Sequence, residues 1–155
     1  MIIIKKEKFR TVCFVLFIIY IVTIVYFLIF SDMFGRTPNY ERNVNLIPFT
    51  EIRRFITYRG AAISNISFMF NIVGNVVAFM PFGMLIRWAR NKRTNAWIAL
   101  LYSFSFTLLI ETIQYISMLG VFDVDDIIMN TVGGMLGYLI YYITARIYRR
   151  YYAKK

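Results

Sequence analysis

The sequence predicts an all-α membrane protein with four transmembrane helices, both termini on the cytoplasmic side, and an amphipathic helix on the outer interface between the first and second spans. Three observations carry that prediction. Hydrophobic residues make up 59% of the 155 residues and charged ones only 17%, which is more apolar surface than so small a soluble domain can hide. Four apolar runs each reach about 20 residues, the length that crosses a hydrocarbon core of roughly 30 Å. Basic residues, finally, gather in three groups, as cytoplasmic flanks do. The whole chain, 1–155, reads as one membrane domain, with no internal repeat and no low-complexity segment.

The first span, residues 9–30, is apolar apart from Arg10 at its edge, Thr11, Thr23 and its tyrosines. A basic stretch precedes it, but the apolar run is too long for the core of a signal peptide and "LIFSDMFG" offers no small-residue cleavage site, so it reads as an uncleaved anchor. Cys13, the single cysteine, lies inside this run. An intramolecular disulfide and a thiolate metal site are thereby excluded. The sequence has no histidine, which removes a histidine acid, base or zinc ligand as well.

The loop that follows, residues 31–67, is enriched in neither Gly/Ser nor Pro, so it reads as ordered. In "TEIRRFITYRG" Ile52, Phe55 and Ile56 fall at i, i+3 and i+4, with Arg53, Arg54 and Arg59 largely on other sides. Thr50 is placed to cap the start of that helix and Gly60 to end it. Such a helix lies on the outer leaflet, either as a lid on the bundle or as a grip on lipid headgroups.

The second span, 68–88, contains Asn71, Asn75 and Pro81, so it needs protein neighbours to satisfy its polar groups. Asn71 and Asn75 are one turn apart on one face. Pro81 removes an N–H and clashes with the preceding turn, which predicts a kink. The third span, 96–116, carries Ser103, Thr107, Glu111 and Gln114 at helical spacing along one stripe. In the fourth, 126–146, Asp126, Asn130, Gly133 and Gly137 share a face, and the two glycines permit close approach of another backbone. Asp123 is placed to cap this helix, with Asp125 and Asp126 at the positive end of its dipole.

Thirteen of the eighteen basic residues lie at the N-terminus (Lys5 to Arg10), between spans two and three (Arg87 to Arg93) and at the C-terminus (Arg146 to Lys155). These ends face inward by the positive-inside rule. The loop 31–67 and the Asp-rich turn therefore face outward. The net charge of +10 is a topology signal plus attraction to anionic headgroups, and no basic face is left over for nucleic acid. With this orientation three helices aim amides and carboxylates at one outward-open region. A carboxylate within a span, such as Glu111, costs about 3 kcal/mol unless paired, protonated or facing water, which makes it a functional candidate. Gln114, Asn75 or a loop arginine are the partners the sequence offers it.

Four stretches, "NLIPF" at 45–49, "NIVGNVVAFMPFGML" at 71–85, "IETIQ" at 110–114 and "DVDDIIMNTVGGMLGY" at 123–138, resemble in order and spacing the VanZ-like family of bacterial membrane proteins, over roughly residues 43–140. The resemblance highlights Asn45, Pro48 and Phe49; Asn75, Pro81, Phe82 and Gly83; Glu111 and Gln114; and Asp123, Asp126, Asn130, Thr131 and Gly133. It implies a plasma-membrane location and a link to glycopeptide resistance, because the family's namesake lowers susceptibility to teicoplanin without remodelling the wall peptide. It names no reaction.

Three readings of function follow. A binding protein would use Asn45, Asn71, Asn75, Glu111, Gln114, Asp123, Asp125, Asp126, Asn130 and Thr131 to recognise a lipid, a lipid-linked wall precursor or an acylated glycopeptide, with Phe79, Phe82, Tyr115 and Phe122 suiting a tail. A metal-dependent membrane enzyme could draw hard oxygen ligands for Mg²⁺ or Ca²⁺ from Glu111, Asp123 and Asp126, together with Asp125 and Asn130. The sequence carries no catalytic motif for it, since "DVDD" lacks the glycine and later glutamate of a calcium loop. A small lipid transporter or flippase is favoured by the interrupted second span, and a homodimer would supply its path, but inverted repeats are missing. The binding protein is the leading expectation.

Overall fold

A computed structural model of the chain describes residues 2–30, 44–50, 53, 57, 62–90 and 94–152. In chain order these form α1 (Ile2–Phe30), β1 (Val44–Asn45), α2 (Ala62–Arg90), α3 (Ala96–Ser117), β2 (Phe122–Asp123) and α4 (Val124–Tyr152). Each of the four expected spans falls inside one of the four helices. Among the described residues α3 and the stretch Val124–Tyr151 of α4 are long and apolar enough to cross a membrane, while Thr11–Phe27 and Asn71–Arg87 are shorter apolar helical stretches.

The ends of these helices follow local chemistry. Asn95 caps α3 by accepting the Ile98 N–H at 2.9 Å, and the helix stops where Met118 turns left-handed at φ 58°. Asp123 caps α4 as expected, its carboxylate accepting the Asp125 N–H at 2.8 Å. Pro81 does not end α2, which runs through it as one element. One turn before it, the Ala78 carbonyl accepts the Tyr20 hydroxyl of α1 at 2.7 Å, an outside partner beside the ladder that proline interrupts.

Helix α4 lies backbone to backbone against α2. A Cβ at Gly133 would come within 2.2 Å of the Val76 carbonyl oxygen, one at Gly137 within 1.9 Å of that of Met80, and one at Gly83 within 1.7 Å of that of Gly134. Close approach through Gly133 and Gly137 is what the spacing predicts, and Gly83 extends it from the opposite helix. On its other side Gly134 faces the Ser103 hydroxyl of α3, 2.2 Å from where a Cβ would sit. Phe82 stacks on Phe106 at 4.8 Å and meets Phe17 at 5.7 Å, which ties α1, α2 and α3 together. At the far end Arg87 donates to the Tyr141 hydroxyl at 2.8 Å, and Tyr138 donates to the Thr94 carbonyl at 3.2 Å.

The burial pattern is inverted relative to a water-soluble bundle. Ser103, Thr107, Glu111 and Gln114 form the buried face of α3 together with Ala99 and Ile110, whereas Leu101, Leu109 and Ile116 of the same helix are exposed.

One element departs from the all-α expectation. β1 and β2 pair in parallel, Val44 with Phe122 and Asn45 with Asp123. Two residues of extended chain are too few to show a period-2 pattern, so the sequence gives no sign of them.

Candidate functional site

The three aspartates at the start of α4 hold two different parts of the molecule, segment 44–49 and α2. Asp123 accepts two hydrogen bonds from the Asn45 side-chain amide, at 3.1 and 3.0 Å on its two oxygens, as well as its capping bond. Asp125 is buried and accepts the backbone N–H of Phe49 at 2.5 Å. Asp126 accepts the side-chain amide of Asn75, on α2, at 2.6 Å. One turn of acidic residues therefore ties segment 44–49 and α2 to the head of α4.

Glu111 adds a third attachment. Buried on α3, it accepts the backbone N–H of Asp123 at 3.0 Å. This partner is not among the side chains the sequence offered. A hydrogen bond to a charged acceptor contributes about 1.5–3 kcal/mol, enough to offset much of the cost of burying the carboxylate. Lower in the same seam the Asn130 amide donates to the Thr107 hydroxyl at 2.9 Å.

Segment 44–49 is itself tightly turned. Asn45 accepts the Ile47 N–H at 3.3 Å through its side-chain oxygen, as Asx turns do. Phe49 is held at φ 64°, an uncommon conformation for so bulky a residue. Its N–H is taken by Asp125, and its carbonyl accepts the Arg53 N–H at 2.9 Å.

That last bond opens a helical turn, which corrects the expected role of Thr50. Thr50 is already helical, and its hydroxyl donates back to the Ile47 carbonyl at 2.6 Å. It does not stand as a cap ahead of the helix, because the turn begins one residue earlier, at Phe49. Arg53 and Thr57 are helical and exposed. Ile52, Phe55, Ile56 and Gly60, on which the predicted amphipathic face and its end rest, lie outside the described residues.

The remaining expected residues fall around this cluster. Asn71 is half-buried one turn before Asn75. Gln114 is buried against Gly120, beneath the turn into β2. The Thr131 hydroxyl, the Ser103 hydroxyl and the Asn130 side-chain oxygen are buried with no hydrogen-bond partner among the described residues. The structure thus gathers Asn45, Asn75, Glu111, Asp123, Asp125 and Asp126 into one network, with the Asn130–Thr107 pair below it. The backbone N–H groups of Phe49 and Asp123 belong to it too, and no side-chain pattern points to them.

As a metal centre the arrangement is poor. Among the described residues no group of three Asp, Glu, His or Cys side chains is placed to hold a metal ion. Glu111, Asp123 and Asp126, the expected oxygen ligands, each accept a separate N–H donor. The spread has a physical cause, since each carboxylate is drawn to an N–H on a different element.

Residues 17–145 match the family model described as VanZ/LLP1. The chain is also similar to the curated Protein VanZ of Enterococcus faecium, with 32% identity over 130 residues that cover 79% of this chain and 69% of that protein. No solved structure matches it. The whole acid–amide network falls within the matched residues.

Proposed function

We propose, for a chain that belongs to the VanZ/LLP1 family, a four-span protein of the bacterial plasma membrane, both termini inside, whose outer end recognises an amphiphile and so lowers susceptibility to lipidated glycopeptides such as teicoplanin. The amphiphile is a membrane lipid, a lipid-linked wall precursor or the acylated drug. One observation carries the reading. The acid–amide network sits at the end of the bundle opposite the basic flanks and holds there a segment whose apolar side chains, Leu46, Ile47 and Phe49, are exposed.

Two further observations support it. The polar stripe of α3 is buried while Leu101, Leu108, Leu109 and Ile116 are exposed, an arrangement suited to lipid and costly in water. Arg87 at one end of α2, and Arg149 and Arg150 in the last turn of α4, lie where cytoplasmic flanks are expected. Teicoplanin carries a fatty tail and vancomycin does not. An apolar outer surface held on a polar frame can compete for that tail, displace the drug from its precursor or change the lipid surface it enters.

The test is susceptibility to both drugs in a sensitive host expressing the wild type or Asp126→Asn, at matched membrane levels. Selective protection against teicoplanin by the wild type, lost in Asp126→Asn, is the expected result. Equal protection by the two chains would make the carboxylate a helix-end device and remove the network from the function.

A further inference from the structure

We infer that residues 44–49 form a rigid anchor whose apolar side chains are immersed in the acyl chains of the outer leaflet. This rests on the four-span reading and deepens it by naming what the outer end touches. Val44, Leu46, Ile47 and Phe49 are 48%, 64%, 62% and 50% exposed, whereas Asn45 between them turns inward to Asp123. Four large apolar side chains on six residues, each about half exposed or more, form a patch and not a scatter of single exposures. Val121 and Met118 are exposed at the same end, and Val121 adjoins Phe122, the partner of Val44, so the patch continues across both strands.

The backbone of this segment is the second observation. In hydrocarbon every backbone polar group needs a protein partner, and irregular chain rarely meets that demand. Here the N–H groups from 47 to 49 are all accounted for. That of Ile47 goes to the Asn45 side chain, residue 48 is proline and has none, and that of Phe49 goes to Asp125. The carbonyls of Ile47 and Phe49 accept from the Thr50 hydroxyl and the Arg53 N–H. A loop meant for water would leave these groups to water. Arg53, exposed one turn beyond Phe49, is positioned to remain among the phosphates while the tip lies deeper. A partner protein would also cover apolar side chains, but it would not require the N–H groups and carbonyls of Ile47 and Phe49 to be satisfied from within the chain.

The experiment uses the full chain in nanodiscs of phosphatidylethanolamine and phosphatidylglycerol, with Cys13→Ala as background. One variant carries Ile47→Cys and another Leu109→Cys, each labelled with an environment-sensitive fluorophore. Both positions are exposed, so neither label disturbs packing, and the thermal transition is checked against the unlabelled chain. The anchor predicts a blue-shifted probe at position 47, quenched several-fold more by lipid-borne spin label than by aqueous iodide. A probe at 47 quenched by iodide alone, while the one at 109 is quenched from lipid, would overturn the anchor and leave the membrane reading standing. Iodide quenching at both positions would overturn both. A probe at 47 shielded from both quenchers, with 109 in lipid, would replace the lipid by a protein contact.

Discussion

Gly83→Ala is expected to prevent the protein from accumulating in its folded form. The added methyl group would sit 1.7 Å from the Gly134 carbonyl oxygen, 2.7 Å from its carbon and 2.8 Å from the Tyr138 nitrogen, all of them backbone atoms of α4. No side chain can rotate out of the way, so the two helices must part. Parting them opens the neighbouring contacts of Gly133 with Val76 and of Gly137 with Met80, and it draws Asn75 away from Asp126 at the head of α4. Overpacking a tight core costs about 1–3 kcal/mol and sometimes more; a clash against fixed backbone belongs at or above the upper figure. The reference substitution is Gly120→Ala, whose methyl group would meet only the Gln114 side chain, at 3.4 Å and beyond. Membrane levels and the thermal transition in detergent should fall sharply for Gly83→Ala and stay near wild type for Gly120→Ala. Equal behaviour of the two would mean that α2 and α4 are not in backbone contact.

Glu111→Leu has the next largest expected effect, and here two terms oppose. Removing a buried carboxylate relieves its desolvation. Removing the acceptor takes this partner from the half-buried N–H of Asp123 at the head of α4, and a donor orphaned in the interior costs about 1–3 kcal/mol. The second term should prevail, because β2 and the Asn45–Asp123 bridge hang from the same residue. Glu111→Leu is therefore expected to lower the thermal transition and to speed hydrogen exchange of the Phe49 and Asp125 amides, which lie beyond the point of mutation. Glu111→Gln keeps an acceptor and should hold both measurements close to wild type. If Glu111→Gln loosens the head of α4 as much as Glu111→Leu does, the negative charge itself is required and Glu111 is more than a hydrogen-bond acceptor.

Much of this frame could be read from the residues, and the parts that could not have physical reasons. Ser103, Thr107, Glu111 and Gln114 share a helical face by spacing alone, and that face is the buried one. Asp123 precedes an apolar run and caps it. Gly133 and Gly137 are four apart and admit a backbone. Gly83, by contrast, reads only as a companion of Pro81, because its contact is with a helix some fifty residues further along the chain. The β1–β2 pair leaves no periodic trace, and its partners are separated by 78 positions. The left-handed Phe49 lacks the glycine or asparagine that usually marks such a turn. Thr50 misleads because a hydroxyl at a helix start can donate backward as readily as it can accept from the turn ahead. One partner of Glu111 and one of Asp125 are backbone N–H groups, which every residue but proline carries and no pattern distinguishes.

The three carboxylates at the head of α4 thus have a structural explanation that leads toward function. They place and stiffen the apolar segment 44–49, to which we assign the proposed amphiphile recognition. The most direct measurement is the amount of teicoplanin bound by nanodiscs containing the chain, relative to empty nanodiscs of the same lipid, with vancomycin as the reference and Ile47→Asp as the variant. The account predicts a gain for teicoplanin, none for vancomycin, and loss of the gain in a folded Ile47→Asp chain. A gain that is the same for both drugs, or one that survives Ile47→Asp, would contradict it.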